Sequence, residues 1–274
     1  MKELEIKGAR VPALGFGTWQ LSGRGCTEAV RHALELGYRH IDTAQMYGNE
    51  SEIGRALRDS GVVRGDIFLT TKVAPGNLAA AALRRSAEES LKRLGVDQVD
   101  LLLIHWPTGE APLGATLDAL AKLRAEGKTR FIGVANFTVK LLAEAVEKHG
   151  ADILCNQVEY HPFLSQRPVL AALQRYGLML TAYTPLARGE VQRNAALAAI
   201  GRRYGKTAAQ VALRWLVDQP SVAAIPKAAN RAHAAANIDI FDFALEAKDR
   251  AAIDAMRGNH RIVDPGWGPH WDPP

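Results

Sequence analysis

The sequence predicts an α/β fold in which eight parallel strands close into a (β/α)8 TIM barrel, with an N-terminal β-hairpin and a C-terminal extra helix and loop. Short, nearly continuous apolar segments alternate with longer segments of helical periodicity, which is typical of a parallel sheet covered by helices. The alternation repeats eight times, and this number favours a closed barrel over an open sheet. The length of 274 residues suits one barrel and no linker divides it, so we expect a single domain over residues 1–274.

Each predicted strand is followed by a predicted helix. The eight pairs are 15–17 with 26–36, 38–41 with 49–60, 67–71 with 78–94, 99–104 with 113–126, 131–134 with 138–149, 153–156 with 167–176, 178–182 with 193–218, and 221–225 with 231–237. The segment 193–218 is long enough for two helices, the second beginning at a Thr207 cap with Gln210 three residues later. Asn49 with Glu52 is a second expected capping pair, and Thr138 is a third cap.

Three segments lie outside these units. Residues 2–11 alternate between apolar and polar side chains, which predicts a hairpin too short to belong to the large sheet. Residues 246–257 predict an extra helix after the eighth unit. The tail, 264–274, has no periodicity and is either a loop laid over the site or a frayed end.

Composition argues against several classes of function. The net charge is +5 and basic residues cluster only in pairs, so we expect no nucleic-acid surface, although a mildly positive field suits an anionic ligand. Cys26 and Cys155 stand far apart in no metal or redox spacing, which is typical of free thiols in a reducing compartment. With no signal peptide and no membrane-spanning segment, we expect a cytoplasmic protein.

Polar and aromatic residues stand where the predicted strands end. They are Asp42, Lys72, His105, Asn136, Gln157, Tyr183 and Lys227. The active sites of (β/α)8 barrels are built at the carboxyl ends of the strands. We therefore expect these side chains to face one another around one site, joined by Tyr47 from the loop after Asp42.

Eight motifs, taken in order, resemble those of the aldo-keto reductase family. They are Gly15-Phe16-Gly17-Thr18-Trp19, Asp42 with Tyr47-Gly48-Asn49-Glu50, Thr71-Lys72, Leu103-Ile104-His105-Trp106-Pro107, Gly133-Val134-Ala135-Asn136-Phe137, Asn156-Gln157-Val158-Glu159-Tyr160-His161-Pro162, Tyr183-Thr184-Pro185-Leu186-Ala187-Arg188-Gly189 and Ile225-Pro226-Lys227. The resemblance covers nearly the whole chain. It points to the bacterial branch that includes diketogluconate reductases, and it implies an NAD(P)H-dependent reductase of carbonyl compounds, acting as a monomer.

The resemblance implies Tyr47 as the general acid. Reduction of a carbonyl by hydride produces an alkoxide, which must take a proton, and a tyrosine with its ordinary pKa of about 10 donates well only beside a positive charge. Lys72 would supply that charge, Asp42 would hold Lys72 in place, and His105 would donate a hydrogen bond to the carbonyl. Lys72 as a Schiff-base lysine is the alternative, but Tyr47 and the nicotinamide-type residues argue against it.

By the same resemblance, Asn136 and Gln157 hold the nicotinamide carboxamide and Tyr183 stacks on the ring. Further cofactor contacts fall on Gly17, Thr18, Asp42, Thr184, Leu186 and Arg188. Ala135 replaces the serine usual before Asn136, so one hydrogen bond to the carboxamide is missing. The loop 186–190 is short, and we expect a loose clamp on the pyrophosphate.

The last cofactor segment departs most from the family pattern. Lys227 remains as a phosphate partner, whereas Ala228 and His233 stand where the family commonly has serine and arginine for the 2′-phosphate of NADPH, and Asn237 is kept beside the adenine. Histidine has an ordinary pKa near 6.5 and is mostly neutral at pH 7, unlike arginine. We therefore expect NADPH as cofactor, with NADH also accepted.

Aromatic and apolar residues near the strand ends are the candidate substrate contacts. They are Trp19, Met46, Trp106 and Trp267, together with Tyr47 and His105; His161 and Trp271 are further candidate pocket walls. Such a pocket suits small aldehydes, α-dicarbonyls, keto esters or diketogluconate-like sugars. Two alternatives stay open: a nucleotide-binding regulatory module with little turnover, and a metal-dependent barrel hydrolase, for which the sequence offers too few neighbouring ligands. We expect no metal.

Overall fold

The computed structural model describes residues 2–108 and 111–273, and in this part of the chain eight parallel strands form one curved sheet. The strands are Phe16–Gly17 (β3), His40–Asp42 (β4), Phe68–Val73 (β5), Val99–Ile104 (β6), Thr129–Ala135 (β7), Cys155–Glu159 (β8), Met179–Tyr183 (β9) and Val222–Ala224 (β10). They pair in chain order, with Asp42 opposite Thr70 and Lys72 opposite Leu103. The predicted order of strands is confirmed.

The sheet closes on itself between β3 and β10. Leu14 forms a parallel bridge with Ala224, the N–H of Gly15 donates to the Ala224 carbonyl at 2.8 Å, and the N–H of Gly17 donates to the Pro226 carbonyl at 3.0 Å. A Cβ on Gly17 would lie 2.6 Å from the carbonyl oxygen of Ile225, so only glycine permits this approach. We call this junction the seam, and it makes the sheet the predicted (β/α)8 barrel.

Helices cover the outside of the barrel. They are Gly23–Glu35 (α1), Glu50–Asp59 (α2), Ala80–Leu94 (α3), Leu113–Ala125 (α4), Val139–Ala143 (α5), Arg167–Tyr176 (α6), Glu190–Arg193 (α7), Ala195–Arg203 (α8), Ala208–Asp218 (α9), Arg231–Ile238 (α10) and Ala247–Asp254 (α11). Short 3₁₀ turns occupy Gln45–Tyr47, Arg64–Asp66, Pro75–Asn77 and Ala187–Gly189, and α5 continues into a π-helical turn at Glu144–Lys148. No helix in the described ranges is long and apolar enough to cross a membrane.

The other predicted elements are present as well. Strands Glu3–Ile6 (β1) and Ala9–Pro12 (β2) form the N-terminal antiparallel hairpin, and α11 is the predicted extra helix. The long segment after β9 splits into separate helices, with the expected capping box of Thr207 and Gln210 at the start of α9. Thr138 caps α5 through the N–H of Leu141.

Two local predictions are wrong. Asn49 precedes α2, but its side chain makes no cap bond, because its amide donates to the carbonyls of Thr18 and Leu21 and its oxygen accepts from the Thr43 hydroxyl. Strand β8 begins two residues later than predicted and continues to Glu159, so Gln157 lies in the middle of the strand rather than at its end.

Candidate active site

The four predicted catalytic residues meet at the carboxyl end of the barrel. Lys72 and Asp42 are buried inside the barrel, and the Lys72 ammonium donates to Asp42 Oδ1 at 2.5 Å. Its other contacts are the Thr43 carbonyl at 2.9 Å and the Tyr47 hydroxyl at 3.3 Å. A series of contacts therefore runs from the buried carboxylate of Asp42 through the Lys72 ammonium to the Tyr47 phenol.

The turn that carries Tyr47 is pinned on both sides. Before it, the Gln45 side-chain oxygen accepts from the N–H of Ala74 at 2.9 Å. After it, Asn49 ties the loop to the carbonyls of Thr18 and Leu21, at 2.9 and 3.0 Å. Since Trp19 lies between Thr18 and Leu21, the buried amide of Asn49 fixes the phenol and a predicted substrate contact relative to each other.

Two opposing effects act on the protonation of this chain. Burial opposes the charge of Lys72, but Asp42 and the hydrogen bonds outweigh it and hold the pKa of Lys72 above its ordinary value. Burial also raises the pKa of the Tyr47 phenol, and the nearby Lys72 charge offsets this only in part. The phenol therefore keeps its proton across the neutral range, beside a lysine that stays charged.

His105 is buried next to Tyr47, their ring centroids 5.7 Å apart. Burial, with the charge of Lys72 as a smaller cause, lowers the pKa of His105 well below its ordinary value, so the imidazole is neutral. Its Nδ1 atom is buried without a hydrogen-bond partner among the described residues. An orphaned acceptor costs less than an orphaned N–H, so we assign the proton to Nε2.

A second chain of hydrogen bonds runs beside the first. The Tyr183 hydroxyl donates to Asn136 Oδ1 at 2.7 Å, and Asn136 Nδ2 donates to the His105 carbonyl at 2.9 Å. Asn136 has a φ of +63° and Thr184 a φ of +50°, conformations that cost energy for residues other than glycine and that cluster at functional sites. Asn136 is thus held in a strained backbone conformation while both ends of its side-chain amide are hydrogen-bonded.

Gln157 joins the two series of hydrogen bonds, because its carbonyl accepts from the N–H of Asn136 at 2.9 Å and its side chain contacts Asp42. Its Nε2 donates to Asp42 Oδ2 at 2.8 Å, the carboxylate oxygen that Lys72 does not use. Because a carboxylate can only accept, this bond fixes the amide orientation and leaves Gln157 Oε1 as an acceptor. Although Gln157 lies in mid-strand, its side chain reaches the site.

A cavity of about 540 Å³ opens above these residues. The predicted residues that line it are Trp19, Asp42, Met46, Tyr47, His105, Trp106, Asn136, Gln157, Tyr183, Thr184, Leu186, Arg188 and Lys227. Lys72 lies beneath the cavity and reaches it through Tyr47. Most of the predicted site is therefore brought together in one place.

Five predicted cofactor residues do not line the cavity. Gly17 is at the seam, and the hydroxyl of Thr18 donates to the Asp42 carbonyl at 2.9 Å. Ala228 and Asn237 are buried, whereas His233 is exposed in the first turn of α10, where its N–H donates to Asn230. Any contact of Ala228, His233 or Asn237 with a ligand therefore lies outside the cavity walls.

The C-terminal tail lies over the site. Trp267 and Trp271 pack edge-on against Trp106, at centroid distances of 5.2 and 6.0 Å, and Val263 lines the cavity. This favours the first of the two predicted alternatives for the tail, whose last residue, Pro274, lies outside the described residues. The prediction of His161 as a pocket wall is wrong, since its ring is fully buried against Glu159.

Several lining residues were not predicted. They are Gln20, Pro185, Gln192, Ile225, Pro226 and Val263, whereas Gly189 belongs to the predicted pyrophosphate loop 186–190. Most of them adjoin predicted residues in sequence, so position next to a strand end was the available signal. Val263 follows no strand and lies between the predicted helix 246–257 and the tail 264–274, so nothing in the sequence pointed to it.

The loop after β9 brings a cation to the cavity. Ala187, Arg188 and Gly189 have successive positive φ values of +48°, +47° and +96°, and the Arg188 guanidinium lies 4.9 Å from the centroid of the Trp19 ring. Arg188 and Lys227 face the same cavity as the amides of Asn136 and Gln157. Amides with an aromatic ring suit a nicotinamide and cations suit phosphates, so the donor set fits a nicotinamide dinucleotide.

Known proteins resemble this chain over most of its length. The profile described as the aldo/keto reductase family matches residues 13–257. Methylglyoxal reductase DkgB of Escherichia coli O157:H7 is 40% identical over 266 residues, which is 96% of this chain and 99% of the relative.

Solved structures agree with this likeness. A crystal structure described provisionally as a 2,5-diketo-D-gluconic acid reductase B superposes with a TM-score of 0.97 at 47% identity, over 99% of this chain and 98% of the other. An aldo/keto reductase from Brucella melitensis superposes with a TM-score of 0.89 at 37% identity, over 93% and 99%.

Proposed function

Because the chain belongs to the aldo/keto reductase family and is therefore an oxidoreductase, we propose that it reduces aldehydes and ketones to alcohols with a reduced nicotinamide cofactor, Tyr47 giving the proton. The observation that carries the proposal is the chain of contacts from Asp42 through Lys72 to the Tyr47 hydroxyl at the floor of the cavity. Such a chain has little use in a protein that only binds nucleotides.

The residues divide the reaction between them. When bound, the cofactor supplies hydride to the carbonyl carbon. The neutral His105 donates a hydrogen bond from Nε2 to the carbonyl oxygen and orients it. Tyr47 gives its proton to the oxygen as negative charge develops there, and Lys72 stabilises the phenolate that remains. Asp42, held by Gln157, keeps Lys72 charged and aimed.

Two groups of residues would hold the cofactor. Asn136 and Gln157 offer amide groups to the carboxamide, and Tyr183 offers a ring beside them. Arg188 and Lys227 offer positive charge to the phosphates. Only Lys227 lies next to the segment that would face a 2′-phosphate, and it carries one charge without the fork geometry of arginine.

Discrimination between the two nicotinamide cofactors is proposed to be weak. Ala228 offers no hydroxyl and is buried, and His233 is exposed without a fixed positive charge. Arg231, the nearest possible substitute, is bound to Glu35 at 2.5 Å. NADPH is accordingly the proposed cofactor, with NADH also accepted.

The proposed substrates are small carbonyl compounds. The cavity walls near Tyr47 are apolar and aromatic, formed by Trp19, Met46, Trp106 and Val263. These walls suit compact aldehydes, α-dicarbonyls and keto esters. The relatives named for methylglyoxal and for 2,5-diketo-D-gluconic acid make an α-dicarbonyl or a diketogluconate-like sugar the first compounds to try.

Reduction of methylglyoxal with NADPH and with NADH, followed by loss of nicotinamide absorbance, tests the proposal. We expect the natural protein to turn over and Tyr47→Phe to lose about 10²–10⁴-fold in kcat while binding cofactor as before. Tyr176→Phe is the matched control, because among the described residues this hydroxyl bonds only Glu147, on the surface. A protein that binds cofactor but reduces no carbonyl would support the regulatory module instead, and a several-hundred-fold preference for NADPH would contradict weak discrimination.

A further inference from the structure

We propose that Glu159 is a positioning residue that sets substrate selection by holding the C-terminal tail against the cavity. The tail, predicted as 264–274, is taken from here on together with the residues that lead into it, as residues 258–273. The proposal rests on the proposed function, because it concerns which carbonyl compounds fit that site. Glu159 does not line the cavity and contacts none of the four catalytic residues by a side-chain hydrogen bond in the described structure. Its effect on substrates would pass through the tail.

The Glu159 carboxylate is fully buried and accepts three hydrogen bonds. The N–H groups of Ile262 and Val263 donate to Oε1 and Oε2, each at 2.8 Å. His161 Nε2 donates to Oε1 at 2.9 Å, since its Nδ1 already accepts from the N–H of Phe163. Burial raises the pKa of Glu159, but these three donors outweigh it and hold the pKa below its ordinary value.

Other contacts hold the tail at its start and at its far end, on either side of the two amides that Glu159 binds. No side chain of the described residues 258–273 is fully buried, although Ile262 packs partly buried against the core. At the start of the tail, the Gly258 carbonyl accepts from the N–H of Ser165 at 2.8 Å, and His260 Nε2 lies 2.8 Å from Glu190. At its far end, Asp272 accepts from the N–H of Val139 at 2.9 Å, and Trp267 and Trp271 rest on Trp106. Glu159 is the described group that fixes two consecutive backbone amides, at the point where the tail enters the cavity.

The position of these two amides decides the shape of the site. Val263 forms part of the cavity wall, and the chain beyond it carries Trp267 to Trp106, which is another wall. A tail held by Glu159 narrows the mouth and favours compact carbonyl compounds of methylglyoxal size. A released tail would remove the wall and admit bulkier ones.

Glu159→Gln tests this proposal because an amide accepts at one oxygen only and turns an N–H₂ group toward a backbone N–H. We expect KM for methylglyoxal to rise about tenfold with kcat within threefold of the natural protein. The ratio of kcat/KM for methylglyoxal to that for 2-naphthaldehyde should fall at least fivefold. Hydrogen exchange at the Ile262 and Val263 amides should accelerate at least tenfold.

Asp100→Asn is the matched control. Asp100 is likewise a buried carboxylate that accepts from a backbone N–H, that of Leu69, but its other partners are Arg64 and Arg130 and it does not touch the tail. This variant should leave both the substrate ratio and the tail exchange unchanged. A double-mutant cycle combines Glu159→Gln with Val263→Ala. In the Val263→Ala background, Glu159→Gln should change the kcat/KM ratio of the two substrates little further, because both substitutions act on the same cavity wall.

Two results would overturn the proposal: an unchanged substrate ratio with unchanged exchange in Glu159→Gln, or equal changes in Asp100→Asn. If Glu159→Gln does not fold, Ile262→Pro removes one tail donor at a position outside every strand and helix, and the same results are expected. If the natural protein reduces no carbonyl, the proposed function fails, yet the exchange measurement still decides whether Glu159 anchors the tail.

Discussion

Replacement of Lys72 by methionine separates what the buried ion pair does for stability from what it does for chemistry. Lys72 is fully buried, and its removal leaves the Asp42 carboxylate, 2% exposed, with Gln157 as its remaining side-chain donor. Removing one partner of a buried ion pair costs about 3–5 kcal/mol, because the other charge is left without compensation. At about 2 °C per kcal/mol in a chain of this size, Lys72→Met should lower the Tm by about 6–10 °C.

Turnover should fall further than stability alone explains. The Tyr47 hydroxyl is 3.3 Å from the Lys72 ammonium, whose charge is what partly offsets the effect of burial on the pKa of Tyr47. Without this charge, the phenolate formed on proton transfer is not stabilised. At a temperature where the variant is still folded, kcat for carbonyl reduction should drop about 10²–10⁴-fold.

The double variant Asp42→Asn with Lys72→Met tests the reasoning. It removes both charges, so no buried carboxylate is left without a counter-charge. Its Tm should recover at least half of the decrease seen in Lys72→Met, while its activity stays low. Calorimetry and steady-state kinetics on the natural protein, both single variants and the double variant give the full cycle. A Tm loss below 2 °C in Lys72→Met would refute the argument. So would a Tm loss in the double variant that exceeds the sum of the losses in the two single variants.

Two further predictions concern pH and cofactor choice. Burial raises the pKa of Tyr47 and Lys72 offsets this only in part, so the phenol is protonated at neutral pH. The rate of carbonyl reduction should therefore be nearly independent of pH in the neutral range. Oxidation of the product alcohol needs the phenolate, so its rate should rise about tenfold per pH unit into the alkaline range. A plateau of oxidation near pH 7 in rate–pH profiles would contradict this. His233→Arg adds a fixed cation at an exposed position, and it should raise the ratio of kcat/KM for NADPH to kcat/KM for NADH about tenfold. Arg202→Lys, also on the surface, is the control. An unchanged ratio in His233→Arg would mean that position 233 does not face the 2′-phosphate.

The sequence predicted the barrel well because periodicity and strand-end chemistry are local signals. Asp42, Lys72 and His105 each stand at or next to the carboxyl end of an apolar strand, and parallel pairing brings such ends together. Local signals also misled in two places. Asn49 is a residue type typical of helix caps, but its amide joins two loops. The polar residues Asn156 and Gln157 resembled the end of a strand, although β8 continues through them to Glu159.

The tail shows what local signals cannot reach. Val263 becomes a cavity wall through a bond to Glu159, a residue separated from it by 104 positions. A segment without periodicity gives no indication of the partner that holds it, and His161, which resembled a pocket wall, is consumed in the same buried contact. Position in sequence therefore predicted the floor of the site better than its rim.

The position of the cavity across the seam means that ligand binding also stabilises the closed barrel. Closing the barrel joins Leu14 to Ala224, and pairing across so long a stretch of chain carries a large loss of chain entropy. The cavity straddles this junction, with Trp19 and Gln20 on one side and Ile225, Pro226 and Lys227 on the other. A molecule that fills the cavity bridges this junction, and its binding free energy is added to the closure of the barrel. The reductase would then be most resistant to opening, and to proteases that attack opened chains, while it is at work.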